Sequence, residues 1–524
     1  MSPPTSALNV LMVVIDDLRN EAGLFGGAAH TPHIDLLGRD SAVFLRNHVQ
    51  QSVCGPTRAS TLTGRRPDIT KIVSNGRCGG RKCWWREVAG NYTTLPQHFK
   101  EAGYRTASFG KVFDERTAGG ETCDFPYSWS EPPDQCSIQG TTLIPDTGAS
   151  HRVSDPTVDK GSFIDVNVTN AAVKWLADRN TSARTSPAPA PFFLAVGFHR
   201  PHLPFIVDQA SLDANPLEVR PPANTYSPGN APLIGWTNSS ELITQYGWND
   251  SQSVRGWGEF SDGAMNHSFP LPWTLELRRF YRAAVTHTDT QVGRLLNALA
   301  RHADFSRTIA VLWGDHGWHL SENGLWGKCT LYEAATRAPL LIKAPGITDA
   351  GRGRRIDALT EHVDIFPTLA ELAGVPAVPR CPVDGGMTLA TCSQGASLVP
   401  LMRGAAKSVR TASMSLWPYP GVGRTDVPKY GSSQFPGSMG YSIALPDGRR
   451  YTEWVNMSYP NGSAPGPWVP LWRELRAREY YLDETNSHNL AQATDPTLLQ
   501  ELSDLLHGIA GWPTAISTCS DAAC

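Results

Sequence analysis

The chain carries, from position 54, the stretch Cys54-Gly55-Pro56-Thr57-Arg58-Ala59-Ser60-Thr61-Leu62-Thr63-Gly64-Arg65. Proline is tolerated at the start of a helix, where its missing N–H is not needed, so Cys54 is predicted to lie in the turn just before a helix. Backbone N–H groups and the positive end of the helix dipole would face a bound group there. Arg58 adds a fixed charge that suits an oxyanion. The pattern indicates a polarised cysteine beside an anion site; the alternative is a buried or disulfide-bonded cysteine before an ordinary helix.

Length, charge and composition exclude several classes of partner. The chain has 524 residues, a formal net charge of −3 and 40% hydrophobic residues, which is ordinary for a globular protein of roughly two to four domains. A nearly neutral chain gives no electrostatic reason to bind nucleic acid or an anionic membrane surface. No apolar run approaches the length that a bilayer span requires. We therefore expect no nucleic-acid partner and no membrane span.

The spacing of the cysteines favours disulfides in an oxidising compartment. Ten cysteines are present, and two of them, Cys54 and Cys329, remain when the close pairs are set aside; these pairs are Cys78/Cys83, Cys123/Cys136, Cys381/Cys392 and Cys519/Cys524. A zinc site is the weaker alternative, because C-x-x-C spacing and clustered histidines are missing. For Cys329 we predict a thiol outside any disulfide and without a catalytic role.

Glycosylation acceptors support the same compartment. Eight Asn-x-Ser/Thr sequences occur, at Asn91, Asn167, Asn180, Asn238, Asn249, Asn266, Asn456 and Asn461. No signal peptide is visible at the amino terminus. We predict a protein of the secretory pathway, lysosomal or extracellular, whose leader is absent from this chain.

An acidic pair follows the first apolar segment. Residues 9–15 form a continuous run rich in β-branched side chains, which predicts a strand buried on both faces of a parallel sheet. Asp16 and Asp17 come directly after it, at the kind of strand end where α/β sheets bind ligands. Two such carboxylates suit Ca²⁺ or Mg²⁺; the alternative is an exposed acidic turn.

Charged residues also follow three later predicted strands. Lys111 follows residues 104–109, His199 follows residues 192–198, and Asp315-His316 follows residues 308–313. Helical patterns alternate with these strands, most clearly at 275–303 and 365–373. We therefore predict an α/β domain with a large, mainly parallel central sheet flanked by helices, in which these residues and Cys54 share one edge.

The last quarter of the chain has a different texture. Short strand patterns at 413–417, 439–445, 450–455 and 479–482 are separated by Pro/Gly turns, and a closing helix is predicted at 498–509. We predict a catalytic domain over residues 1–404 and a smaller α+β subdomain over residues 405–524 that completes the substrate cleft.

With these landmarks, the chain resembles the formylglycine-dependent sulfatases, which have an alkaline-phosphatase-like fold. The stretch from Cys54 matches the motif C-x-P-x-R-x-x-x-L-T-G-R at every fixed position. Five further stretches resemble the subclass that acts on uronate 2-sulfates: Val14-Ile15-Asp16-Asp17-Leu18-Arg19, Gly110-Lys111-Val112-Phe113, residues 192–204, Gly314-Asp315-His316-Gly317-Trp318 and Phe366-Pro367-Thr368-Leu369-Ala370. The resemblance implies a sulfuric ester hydrolase acting on a sulfated saccharide.

The resemblance also implies roles for individual residues. Cys54 would be oxidised to formylglycine by a formylglycine-generating enzyme, and its hydrated aldehyde would be the nucleophile. One calcium ion would be held by Asp16, Asp17, Asp315, His316 and the modified Cys54. The sulfate oxygens would be bound by Arg58, Lys111, His199 and Lys328.

Asp114 departs from the family pattern. The subclass has a histidine acid or base directly after Gly-Lys-Val-Phe, whereas this chain reads Gly110-Lys111-Val112-Phe113-Asp114. We expect either that Asp114 acts as the base with a raised pKa, or that His199 takes over the role. Two alternatives to the sulfatase remain open: a phosphate or phosphonate ester hydrolase of the same fold, and a weakly active protein that binds sulfated glycans.

Overall fold

A seven-stranded sheet lies at the centre of the computed structural model. The structure describes residues 7–512 apart from 76, 79–80, 83, 89, 137–150, 154–162, 184–189, 218–220, 223, 238–241, 243–267, 349–352, 383–384, 420–437 and 459–468. In chain order the strands of the sheet are β1 (Asn9–Ile15), β2 (Ala42–His48), β3 (Arg105–Gly110), β4 (Phe192–Phe198), β5 (Thr308–Gly314), β6 (Leu340–Lys343) and β7 (Arg354–Glu361). Their spatial order is β7-β2-β6-β5-β1-β4-β3. Of these seven strands only β6 runs antiparallel to its neighbours, which confirms the predicted mainly parallel sheet.

Helices cover both faces of the sheet. The principal ones are α1 (Pro32–Arg39), α2 (Cys54–Thr63), α3 (Leu95–Glu101), α4 (Ile164–Ala183), α5 (Leu271–His302) and α6 (Ile365–Ala373). Because successive side chains of a strand point to opposite faces, Leu11 and Val13 of β1 belong to the same core as α5. Val10 and Met12 belong to the core that contains residues of α2 and α6. Burial on both faces explains the uninterrupted apolar run of β1.

A second, antiparallel sheet forms the carboxyl-terminal part. It contains β8 (Ser413–Tyr419), β9 (Ser438–Ala444), β10 (Arg450–Ser458) and β11 (Val469–Tyr481), paired in that order, and α7 (Pro496–Ala510) packs on its apolar residues. The predicted subdomain is confirmed. The last strand was predicted too short, because pairing with β10 extends β11 through a mainly polar run that gives no strand signal. The division between residues 404 and 405 stays a prediction.

The described cysteines form two of the predicted disulfides, Cys123–Cys136 and Cys381–Cys392. The other two predicted pairs lie outside the residues whose side chains are described. Cys54 and Cys329 take part in neither disulfide. Within the described ranges, no helix is both long and apolar enough to cross a membrane.

Asp289 connects α5 to the amino end of α1. Its carboxylate accepts the backbone N–H groups of Ile34 at 2.7 Å and His33 at 3.1 Å. Burial raises the pKa of Asp289 to about 6 and Asp35 adds to the increase, although the two N–H groups and the His33 side chain oppose it. The folded state therefore binds an extra proton, and this contribution to stability is full below the ordinary pKa of 3.8 and is lost as the pH rises through about 6.

We expect the wild type to gain stability relative to Asp289→Asn when the pH falls from 7 to 5. An amide does not titrate in this range, so the difference in the free energy of unfolding should move by about 1 kcal/mol in favour of the wild type. Urea denaturation at the two pH values measures it. A difference that is the same at both pH values would contradict the raised pKa.

Candidate active site

The carboxyl ends of four neighbouring strands place charged side chains at one edge of the central sheet. Strands β5, β1, β4 and β3 lie side by side and parallel, and ligand sites of such sheets lie beyond the carboxyl ends of their strands. The residues that follow these four strands are Asp315-His316, Asp16-Asp17, His199 and Lys111. The structure thus brings together the strand-end residues that the sequence predicted to share an edge.

The two adjacent carboxylates converge because the backbone turns at the end of β1. Asp16 still follows the sheet, since its N–H donates to Phe198 O at 3.1 Å. Asp17 adopts a left-handed conformation with φ +59°, and its N–H donates to Asp315 Oδ1 at 2.9 Å. Both side chains are buried. The turn therefore directs two carboxylates that would diverge on an extended strand into one site.

Cys54 is the first residue of α2 and not, as predicted, a residue of the preceding turn. Proline at position 56 still fits, because the first four N–H groups of a helix have no partner within the helix. The first helical hydrogen bond runs from Thr57 N–H to Val53 O at 3.1 Å. The N–H of Gly55 donates to Asn75 Oδ1 at 2.7 Å, so one of the N–H groups expected to face a ligand is already occupied.

The thiol of Cys54 lies within reach of three charged or polar groups. Its Sγ is 3.3 Å from Asp16 Oδ1, 3.5 Å from His316 Nε2 and 3.5 Å from Lys328 Nζ. Lys328 also donates to Asp17 Oδ1 at 2.6 Å. Burial raises the pKa of the Cys54 thiol well above its usual value, and Asp16 adds to the increase while nearby lysines oppose it.

Arg58 and Lys111 neutralise the buried carboxylates. Arg58, which is fully buried, donates from Nε to Asp315 Oδ2 at 3.0 Å and from Nη2 to Asp16 Oδ1 at 3.2 Å. Lys111 donates to Asp16 Oδ2 at 2.6 Å. Burial alone would raise the pKa of Asp16, but Lys111 and Arg58 outweigh it and hold that pKa well below its usual value. A Cβ on Gly197 would lie 2.1 Å from Lys111 O, so glycine at that position lets β4 approach this segment closely.

Two histidines lie beside the carboxylates of Asp16 and Asp17. The rings of His199 and His202 are 4.7 Å apart and 30° from parallel. His199 Nδ1 is 3.7 Å from Asp16 Oδ2, and His202 Nε2 is 3.9 Å from Asp17 Oδ2. Burial lowers the pKa of His199 well below its usual value, and His202 lowers it further. Of these two histidines, only His199 was predicted to be a site residue.

The carboxylates of Asp16, Asp17 and Asp315 suit a hard divalent cation, whereas the Cys54 sulfur is a softer donor than such an ion prefers. One ligand atom each from Asp16, Cys54, Asp315 and His316 lies within 4.8 Å of the others. Asp17 Oδ2 is buried and accepts no hydrogen bond from the described part of the chain, as expected of an atom that ligates an ion. His316 Nδ1 lies 3.0 Å from Gly317 O, so the proton belongs on Nδ1 and leaves Nε2 as a ligand.

Asp114 does not have the environment of a base with a raised pKa, and that expectation is wrong. Arg116 grips its carboxylate with two hydrogen bonds, from Nε to Oδ1 at 2.8 Å and from Nη2 to Oδ2 at 2.6 Å. Lys111 Nζ is 3.6 Å from Oδ2. Burial would raise the pKa of Asp114, but Arg116 and then Lys111 lower it far below its usual value. The sequence did not single out Arg116, and a carboxylate two residues before an arginine gives no sign that the two will pair.

Comparison with known proteins identifies the class of enzyme. The sulfatase family model matches residues 8–375. The chain therefore belongs to the sulfatase family and is a sulfatase, a hydrolase of sulfuric esters.

Relatives within this family are similar over nearly the whole chain. Human iduronate 2-sulfatase is 33% identical, with 93% of this chain and 91% of the human protein covered, and the Mus musculus enzyme is 32% identical over the same shares. This confirms the resemblance to the uronate 2-sulfate subclass.

Solved structures show the shared fold. A 2-O GAG sulfatase has a TM-score of 0.63 at 20% identity, with 95% of this chain and 90% of that chain covered. The phosphonate monoester hydrolase of Agrobacterium radiobacter has a TM-score of 0.66 at 18% identity, covering 96% and 95%. The predicted alkaline-phosphatase-like architecture is confirmed. The family match does not favour the phosphonate ester alternative.

Proposed function

We propose that the enzyme removes the 2-O-sulfate from a uronate in a sulfated glycosaminoglycan or algal-type saccharide, through a formylglycine formed from Cys54 and with one bound Ca²⁺. The 33% identity to an iduronate 2-sulfatase over 93% of the chain carries this proposal. The cluster of carboxylates and cations around Cys54 supports it, because the family chemistry needs a metal and an anion site at the same residue.

Four side chains are proposed to hold the sulfate group. Lys111 donates to Asp16 and Lys328 donates to Asp17. Lys328 also contacts the sulfur of residue 54. Fixed cations in a buried site stabilise charge that redistributes over oxyanions during reaction. Arg58, which also fixes the carboxylates, and His199 are proposed to complete the sulfate site. His199, whose pKa burial lowers well below its usual value, is also proposed to accept the proton of the second hydroxyl of residue 54 when sulfate leaves.

The modification and the metal would complete this arrangement. Asp16, Asp17, Asp315 and His316 are proposed to hold Ca²⁺, with residue 54 also in contact. The ion would supply Lewis acidity at the oxygen of residue 54. A hydrated aldehyde would offer one hydroxyl for attack on sulfur and a second whose deprotonation releases sulfate, an exit that a plain cysteine or serine lacks.

Maturation is proposed to occur in the secretory pathway, with the final location lysosomal or extracellular. The two disulfides of the described residues suit an oxidising compartment. A formylglycine-generating enzyme is the proposed partner during maturation. The eight acceptor asparagines are the proposed glycosylation sites.

Removal of the metal is expected to abolish turnover and lower the thermal midpoint. Dialysis against a chelator should take away the ion that shields the carboxylates, and added Ca²⁺ should raise the midpoint in a concentration-dependent way. Asp17→Asn should require more Ca²⁺ for the same increase, whereas Asp447→Asn, on the exposed turn between β9 and β10, should match the wild type. A midpoint independent of Ca²⁺ would contradict the proposed site.

Release of inorganic sulfate or phosphate from defined esters tests the proposed function. We expect turnover of a disaccharide that ends in a 2-O-sulfated uronate, weaker turnover of an aryl sulfate, and the least turnover of an aryl phosphate. Turnover of the aryl sulfate alone would place the natural substrate outside the uronate 2-sulfates. Faster turnover of the aryl phosphate would contradict the proposal as a whole.

A further inference from the structure

The segment that follows β3 presents an arginine beside the candidate active site. Arg116 binds Asp114 through Nε and Nη2, and its own N–H donates to Asp114 Oδ1 at 3.1 Å. The Asp114 side chain is 1% exposed, whereas that of Arg116 is 34% exposed. A buried carboxylate therefore fixes one edge of a guanidinium group whose remaining surface faces outward.

The segment that carries this arginine packs beside the neighbour of the reactive residue. A Cβ on Gly55, the neighbour of Cys54, would lie 2.5 Å from Thr117 Cγ2, so the segment carrying Arg116 packs against the start of α2. Asp114 is also 3.6 Å from Lys111 Nζ, which donates to Asp16. Successive contacts therefore connect the Arg116 guanidinium to the Cys54 sulfur, in the order Arg116, Asp114, Lys111, Asp16 and Cys54.

Arg116 differs from the cations proposed to hold sulfate. The side chains of Arg58, Lys111 and Lys328 are at most 8% exposed, and each pairs with a carboxylate of the candidate metal site. Arg116 pairs instead with a carboxylate outside that site and remains open to solvent. It can therefore receive an anionic group that lies further out on the substrate than the sulfate does.

We propose that Arg116 is a specificity residue that binds the carboxylate of the sulfated uronate, and that Asp114 is the residue that positions it. The inference rests on the proposed function. A guanidinium has the planar fork that matches a carboxylate, and a uronate carries its carboxylate across the sugar ring from the 2-O-sulfate. The chain has thereby replaced the histidine expected at position 114 with part of a binding site for the sugar.

Steady-state kinetics on a 2-O-sulfated uronate and on its carboxylate methyl ester test this inference. We expect Arg116→Ala to raise KM for the acid about 10- to 100-fold, the range of a charge-assisted hydrogen bond. The variant should therefore show a smaller difference in KM between acid and ester than the wild type does. A change in KM without a matching fall in kcat identifies lost binding. Arg116→Lys should show a smaller rise, because it keeps the charge and loses the fork.

Two further variants keep the result interpretable. Arg105→Ala removes an arginine from the partly exposed pair with Glu131, at the amino end of β3. It should leave KM unchanged for both the acid and the ester. If Arg116→Ala fails to fold because Asp114 is left buried without its partner, Asp114→Asn combined with Arg116→Ala removes both charges. Equal changes in KM for acid and ester, or no change for either, would overturn the inference while wild-type turnover of the acid upholds the proposed function.

If the wild-type enzyme cleaves only aryl sulfates, the proposed substrate is wrong, and the role of Arg116 needs a separate test. Inhibition of aryl sulfate hydrolysis by a uronic acid and by its methyl ester then decides. We expect the acid to inhibit the wild type more strongly, and Arg116→Ala to abolish that preference. Equal inhibition of the wild type by acid and ester would overturn the inference.

Discussion

Cys54→Ser is expected to lower the steady-state turnover of a sulfate ester by about 10⁴-fold or more, the scale on which removal of a nucleophile acts. The variant places a hydroxyl oxygen where the Cys54 sulfur contacts Asp16, His316 and Lys328. A serine can accept sulfate but has no second hydroxyl through which to release it. We therefore expect at most one equivalent of the desulfated alcohol, with a stable mass increase of one sulfuryl group (SO3) on the peptide that contains residue 54.

Cys329→Ser is the matched control. Among the cysteines whose side chains are described, Cys329 is the other one outside a disulfide; it is half-buried and follows Lys328 directly. The variant should retain turnover within about twofold of the wild type, because serine differs from cysteine by one atom and Cys329 has no proposed role in the chemistry. Sustained turnover by Cys54→Ser would contradict the proposed nucleophile. An equal loss of turnover in Cys329→Ser would show that the substitutions act by disturbing the fold and not by removing a nucleophile.

Lys328→Met is expected to lower kcat by about 10²- to 10³-fold, the effect of removing one preorganised electrostatic partner of the transition state. Methionine preserves most of the volume of the lysine side chain and removes its charge. Lys328 donates to Asp17 and touches the Cys54 sulfur, and its side chain is 3% exposed. Loss of the ammonium should therefore act on the reaction more than on substrate binding.

A second buried lysine offers a matched control for this substitution. Lys343 ends β6 and is 4% exposed. Its Nζ donates to Phe305 O at 3.2 Å, away from the carboxyl ends of the parallel strands. Lys343→Met should change the thermal midpoint without changing kcat. Similar losses of kcat in both variants would indicate that burial of a lysine, and not its position, accounts for the effect.

Much of the fold follows from sequence periodicity. The run at 9–15 and the pattern at 365–373 correspond to β1 and α6 with the predicted bounds, since burial on both faces and a helical period leave clear traces. The long helix predicted at 275–303 appears as α5, from Leu271 to His302. The antiparallel direction of β6 left no trace, because strand direction depends on connections and not on side-chain pattern.

Site residues that directly follow a strand could be predicted from the sequence. Site residues that depend on pairing within a local turn could not. Asp16, Lys111 and His199 meet because parallel strands end together. The clamp of Arg116 on Asp114 depends on a turn within three residues, which apolar periodicity does not encode. The same limit explains why Cys54 was expected in a turn, since proline fits several positions in a first helical turn.

The mass of the tryptic peptide Asn47–Arg58 from catalytically active enzyme tests the central claim most directly. The account predicts formylglycine in place of the Cys54 side chain, in a fraction of molecules that rises in proportion to specific activity between preparations. Unmodified cysteine throughout a fully active preparation would contradict it.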